Sequence, residues 1–168
     1  MIDGIACTLI DNGMPLVVMD AAAFGLSGHE TREALDTNLD LKAKLEAIRL
    51  IAGPLMNLGD VADKSVPKMT LVSKSDTAAI STRSFIPHRC HATIGVFAAV
   101  TVATACTLSD GPANRLATLP LGNTFAIAHP TGAVDVVLER DASGAVLAAG
   151  TLRTARKLFD GLVFPAPL

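Results

Sequence analysis

The chain has neither tryptophan nor tyrosine, and six phenylalanines are its only aromatic side chains. The core of this 168-residue chain must therefore come from Ala, Val, Leu and Ile, which a half-apolar composition can supply. Charge is scarce and nearly balanced, 14 Lys and Arg against 16 Asp and Glu. With a net charge of -2 and no basic run interleaved with aromatics, the composition argues against nucleic-acid binding. Cysteine is sparse too. Cys7, Cys90 and Cys106 are odd in number and widely spaced, which excludes a disulfide framework and a CxxC metal site and fits a reducing, cytoplasmic setting. Cys7 and Cys106 lie in apolar runs and read as inert core thiols. The N-terminus lacks the basic-then-apolar layout of a signal peptide. The long apolar run Ala92–Leu108 is 17 residues and rich in Thr, too short for a membrane span.

What remains is one domain over residues 1–168, with no internal repeat or linker. Gly4–Ile10 and Leu16–Met19 read as strands around the turn Asp11-Asn12-Gly13-Met14-Pro15. Leu41, Leu45, Ile48 and Ala52 form one helical stripe, capped by Asn38 and ended by Gly53-Pro54. Met69–Ser73 and Ala78–Phe85 are expected strands, followed by a buried helix over Ala92–Leu108. Phe125–Ala128, Ala133–Glu139, Val146–Leu152 and Leu158–Phe164 are expected strands as well, with Asp141-Ala142-Ser143-Gly144 as a hairpin turn. Two helical patterns among seven or eight strands indicate an α+β fold.

Chemistry concentrates in Arg83-Ser84-Phe85-Ile86-Pro87-His88-Arg89-Cys90-His91, directly before the apolar run. A helix start leaves N–H groups unpaired and carries partial positive charge. Arg83, His88, Arg89 and His91 beside such a start would make a carboxylate pocket; the bland alternative is an ordinary cap with solvated basic residues. His88, Cys90 and His91 lack a nearby carboxylate to complete a zinc site, so no metal is expected. A Cys90–His91 nucleophile–base pair lacks an orienting third residue. Asn12 and Gly13 could add an amide and close backbone approach, or simply form a turn. Asn57 and Lys68 are further binding candidates, with a turn and a solvent-facing strand end as their alternatives. His29 and His129 read as surface residues.

Ser84-Phe85-Ile86-Pro87-His88-Arg89-Cys90-His91-Ala92 also resembles the corresponding stretch of the 4-oxalomesaconate tautomerases, relatives of the 2-methylaconitate isomerases with the diaminopimelate-epimerase-like fold. Further resemblances follow in order: Ile10-Asp11-Asn12-Gly13-Met14-Pro15, Met56-Asn57-Leu58-Gly59-Asp60-Val61 with Val66-Pro67-Lys68-Met69, and Arg153-Thr154-Ala155-Arg156-Lys157-Leu158-Phe159-Asp160-Gly161 as a final strand. The resemblance implies one half of a two-domain fold, a mixed sheet wrapped around a central buried helix. The chain looks like the C-terminal half only; the family's first-half loops, which carry the lysine and cysteine thought to move protons, have no counterpart here.

The implied activity is a cofactor-independent isomerase acting on a small unsaturated oxo-polycarboxylate, in the breakdown of aromatic acids such as gallate. Keto–enol tautomerisation of 4-oxalomesaconate and an allylic 1,3-proton shift are the two reactions in view. Asn12, Gly13, Asn57, Lys68, Arg83, His88, Arg89 and His91 would bind substrate, and Cys90 would be the catalytic candidate of this half. The expected partners are the small polycarboxylate, the missing N-terminal domain and, because separation uncovers an apolar face, further copies of the chain. No membrane or nucleic-acid partner is expected. The alternative is a non-catalytic polycarboxylate-binding domain that has lost its other half.

Overall fold

The turn at Asn12-Gly13 folds β1 (Cys7–Asp11) back onto β2 (Pro15–Asp20) as an antiparallel pair, with Gly13 at φ 92° in the left-handed region. In this computed structural model, which describes residues 1–166, two crossovers then build the rest of the sheet. From β2 the chain passes through a 3-10 turn (Ala21–Phe24), α1 (Arg32–Thr37) and α2 (Leu39–Leu55) to β3 (Lys68–Ser73), parallel to β2. β4 (Ile80–Phe85) returns antiparallel to β3. The second crossover, α3 (Val96–Thr107) and α4 (Pro112–Leu116), leads to β5 (Thr124–His129), parallel to β4. β6 (Gly132–Arg140) and β7 (Val146–Thr151) complete an antiparallel meander. The result is an α+β domain with one mixed seven-stranded sheet in the order β1 to β7.

Each crossover covers one face of the sheet, and the two-residue side-chain period divides the apolar residues between them. Leu16, Val18, Val72 and Ile80 join α3 in one cluster; Val17, Met19, Met69, Leu71 and Phe85 join Leu41, Leu45, Ile48 and Ala52 of α2 in the other. Buried on both faces, β2 and β3 read as nearly continuous apolar runs. α3 is apolar all round and packs against β1, β2, β5, β6 and β7. Its hydroxyls are satisfied within the helix: Thr101, Thr104 and Thr107 donate to the carbonyls of Phe97, Val100 and Thr104.

The structure corrects several expectations. α3 starts at Val96, with Gly95 as its N-cap, rather than at Ala92. Backbone pairing with the end of β4 occupies the chain up to His91, and residues 92–95 are not helical. α2 runs through Gly53-Pro54 to Leu55, because a proline in the final turn leaves most of the preceding ladder intact. α1 and α4 are too short to show a periodic pattern. Leu158–Phe164 forms no strand: β7 is the last strand of the sheet among the described residues, and nothing beyond it offers a ladder. No helix among the described residues is long and apolar enough to cross a membrane.

Gly53 is a packing requirement. A Cβ there would lie 2.5 Å from Val61 Cγ2 and 2.6 Å from Cγ1, in a contact where Val61 is buried. Gly53→Ala should destabilise the domain by about 1–3 kcal/mol through overpacking, despite the roughly 0.5–1 kcal/mol that alanine gains in a helix. A urea midpoint raised by the substitution would disprove this contact.

Candidate functional site

The basic cluster lies on a reverse turn that extends β4, not on a helix start. Ile86 donates to the carbonyl of Arg89 (3.0 Å) and His91 to that of Ser84 (2.8 Å), so Pro87, His88 and Arg89 form the tip, with His88 and Arg89 exposed. The apolar and polar residues of Phe85–His91 then separate by direction. Cys90 turns inward, 1% exposed among the residues packed on α2, while Arg89 and His91 open onto a cavity of about 370 Å³. Thr93 holds the His91 ring through Nδ1, with its backbone N–H at 3.2 Å.

Two residues with no signal of their own complete that cavity's frame. Arg32 lines it and donates from Nε to the Cys90 carbonyl at 3.2 Å; Asp36 Oδ1 accepts from the Cys90 N–H at 2.6 Å. Both come from α1, the element that sequence periodicity missed. Thr31, as N-cap, accepts from Ala34 N–H and fixes where that short helix begins. An N-cap pattern before Arg32 was the available signal, but without an apolar stripe it marks no helix.

Cys90 is a closed, neutral thiol. Burial first, then the negative charge of Asp36, push it up to about 11, and the nearby Arg83 and Arg32 offset only part of this. A nucleophile or general base needs the thiolate, so neither role suits Cys90 in this chain. Cys106 is pushed up to about 12 by burial alone, as an inert core thiol should be.

The remaining candidates are dispersed. His88 turns towards α2, its Nδ1 lying 3.7 Å from Glu46 Oε2, and does not line the cavity of Arg89 and His91. Asn12 donates its side-chain amide to Thr104 Oγ1 (2.9 Å), which pins the β1–β2 turn to α3. Gly13 sits beneath Phe97, whose ring would meet a Cβ at 3.0 Å. Asn57, at φ 59°, makes the left-handed exit from α2 and is exposed. Lys68 opens β3 opposite Leu16 and is half-buried. Asn12 and Asn57 thus have structural work, and neither shares a cavity with Arg89.

Arg83 is buried on β4. It lines a different cavity, of about 600 Å³, with His29 and His129. Burial, then Arg83, then His91 push His129 below the usual imidazole value, so the electropositive character spreads from the turn across β4 to β5. No group of three or more metal-ligating side chains occurs among the described residues.

Residues 2–166 match the PrpF protein family. Over 167 residues the chain is 58% identical to a (4E)-oxalomesaconate Δ-isomerase of Novosphingobium sp. strain KA1, covering 98% of this chain and 47% of that protein. It is 48% identical over 167 residues to a 4-oxalomesaconate tautomerase of Pseudomonas putida KT2440, covering 96% of this chain and 45% of that one. The chain spans about half the length of these curated relatives. Its fold matches the crystal structure of a methylitaconate-Δ-isomerase with a TM-score of 0.73, over 89% of this chain and 50% of that one; at 17% identity this likeness concerns the fold alone. With the match running through all seven strands and the relatives this similar throughout, the chain belongs to the PrpF protein family.

Proposed function

We propose that the chain is the carboxylate-binding half of a longer, cofactor-independent isomerase acting on an oxo-polycarboxylate of the 4-oxalomesaconate kind. In this reading the mixed sheet wraps around α3 as one half of a diaminopimelate-epimerase-like pair. The observation that carries the reading is the cavity where Arg32, Arg89 and His91 meet, in a chain 58% identical to an oxalomesaconate isomerase. Tautomerisation removes a proton from carbon beside a carbonyl, and negative charge develops on oxygen. Fixed cationic donors meet that charge and also hold the permanent carboxylates, for which a guanidinium offers two parallel N–H groups. The Cys90 carbonyl accepts from Arg32 Nε, and Asp36 in turn holds the Cys90 backbone through its N–H. The groups that transfer the proton then belong to the other half, and Cys90 serves by its backbone rather than its thiol. A keto–enol shift and an allylic 1,3-shift place the same demand on this half.

Citrate titration tests the cavity. Arg89 is exposed, so Arg89→Ala should weaken binding only about three- to tenfold, while Lys68→Ala should change it less than twofold. Unchanged affinity in Arg89→Ala, with the fold intact by circular dichroism, would remove this turn as an anion site.

A further inference from the structure

The strongest feature outside the Arg89 cavity is the guanidinium of Arg83, only 7% exposed and with no carboxylate in ion-pair contact among the described residues. Its Nε donates to the Glu30 carbonyl (2.9 Å) and its Nη1 to the Thr82 carbonyl (2.9 Å). Nη2 has no hydrogen-bond partner among the described residues and yet is not sealed in. The nearest acidic neighbour is already committed elsewhere: the Glu30 carboxylate accepts from Ser27 N–H (2.7 Å), Ser27 Oγ (2.8 Å) and Gly28 N–H (3.0 Å). A charge taken out of water without a counter-ion is costly unless something else meets it. Burial accordingly pushes Arg83 below the usual guanidinium range.

What could meet that charge is an anion in the cavity that Arg83 lines. This space of about 600 Å³ is bounded by Ser81 and Arg83 of β4, His129 of β5, His29 of the β2–α1 segment, and the Ser75–Thr77 turn. Its one acidic side chain, Asp76, is exposed. The lining shares no residue with the cavity of Arg32, Arg89 and His91. The volume exceeds what a simple inorganic ion needs and suits a small organic acid.

We propose that this cavity is a second carboxylate site, in which Arg83 receives a carboxylate group of a small di- or tricarboxylate and His129 closes on it from β5. The site stands independently of the isomerase reading, because it rests on Arg83 and its cavity rather than on Arg89 or on any reaction. For a ligand with several carboxylates, it gives this half of the protein two separate places to hold them.

The test is citrate titration of the chain, followed by the imidazole resonances of its histidines. The His129 signals should move in a saturable way, and inorganic phosphate at the same concentration should move them far less. Arg83→Gln should abolish the His129 response and weaken that binding phase by at least about tenfold, as loss of a shielded charge-assisted contact requires. Because a buried arginine can be needed for folding, His129→Gln provides a second route; it should weaken the same phase by about three- to tenfold. Arg89→Ala should leave the His129 response in place. If that response survives while Arg89→Ala has no effect on citrate, the isomerase reading fails and the second site stands. His129 signals unmoved by saturating citrate, or moved equally by phosphate, would overturn the second site, as would undiminished binding in a folded Arg83→Gln.

Discussion

The isolated chain should bind citrate and fail to turn over 4-oxalomesaconate, and adding the other half of a full-length relative should restore turnover by several orders of magnitude. The size of the effect follows from the geometry of catalysis: positioning substrate against proton-transfer groups contributes about 7–11 kcal/mol when both are held together. This chain offers cationic donors around one cavity but keeps its nearest thiol buried and neutral. It also exposes Leu158, Phe159, Leu162, Val163 and Phe164 beyond β7, Leu162 to 83%. Contiguous exposed apolar side chains of this kind mark a surface that a partner covers, and the expected partner is the other half. Removing residues 152–168 should therefore block reconstitution while leaving citrate binding intact. In the absence of the other half the same segment should drive association between copies, seen as concentration-dependent sedimentation. Full turnover by the purified chain alone would refute the division of labour.

Replacing Arg49 should produce the largest loss of stability. The side chain is fully buried at the base of α2, where it ties the 61–66 segment to the helix. Nη1 donates to the carbonyls of Val61 (2.8 Å), Lys64 (2.9 Å) and Val66 (3.1 Å), while Nε and Nη2 hold Glu46 in a two-point pair at 2.7 and 2.8 Å. Arg49→Met keeps much of the volume but strips these acceptors of their donor. The cost should be about 3–5 kcal/mol, or roughly 10 °C in thermal midpoint for a domain of this size. A loss under about 1 kcal/mol would show that water replaces the guanidinium at little cost.

The same pair sets an acid limit. The hydrogen bond from Arg49 holds the Glu46 carboxyl below its usual range; burial opposes it, and the charges of Arg49 and His88 add to the lowering. A depressed folded-state value contributes stability that is present above the ordinary glutamate range and lost as pH falls through the folded value. Glu46→Gln should therefore lower stability near neutrality, flatten the acid limb of a stability-versus-pH curve, and leave the two proteins alike at low pH, where the contribution is already lost.

Local physics made much of this protein legible in its sequence. The Asn12-Gly13 turn, the Leu41–Ala52 stripe with its Asn38 cap, the paired strands around residue 76 and the final meander all follow from side-chain period and turn chemistry within a few residues. The cluster at residues 83–91 was legible as chemistry, because so many basic groups together in a sparsely charged chain need a reason. Where those groups point was decided elsewhere. Backbone pairing at Ser84–His91 and Phe85–Cys90 put Arg89 at a turn tip, and the helix begins only at Val96. Arg32 reaches the Cys90 carbonyl across 58 positions, from a six-residue helix that no period could reveal. His129 and His29 meet Arg83 only because β5 lies parallel to β4 and the β2–α1 segment passes beside both. Period and turn residues act over a few positions and determine elements; charge, burial and cavities are properties of space, and only the folded chain sets them.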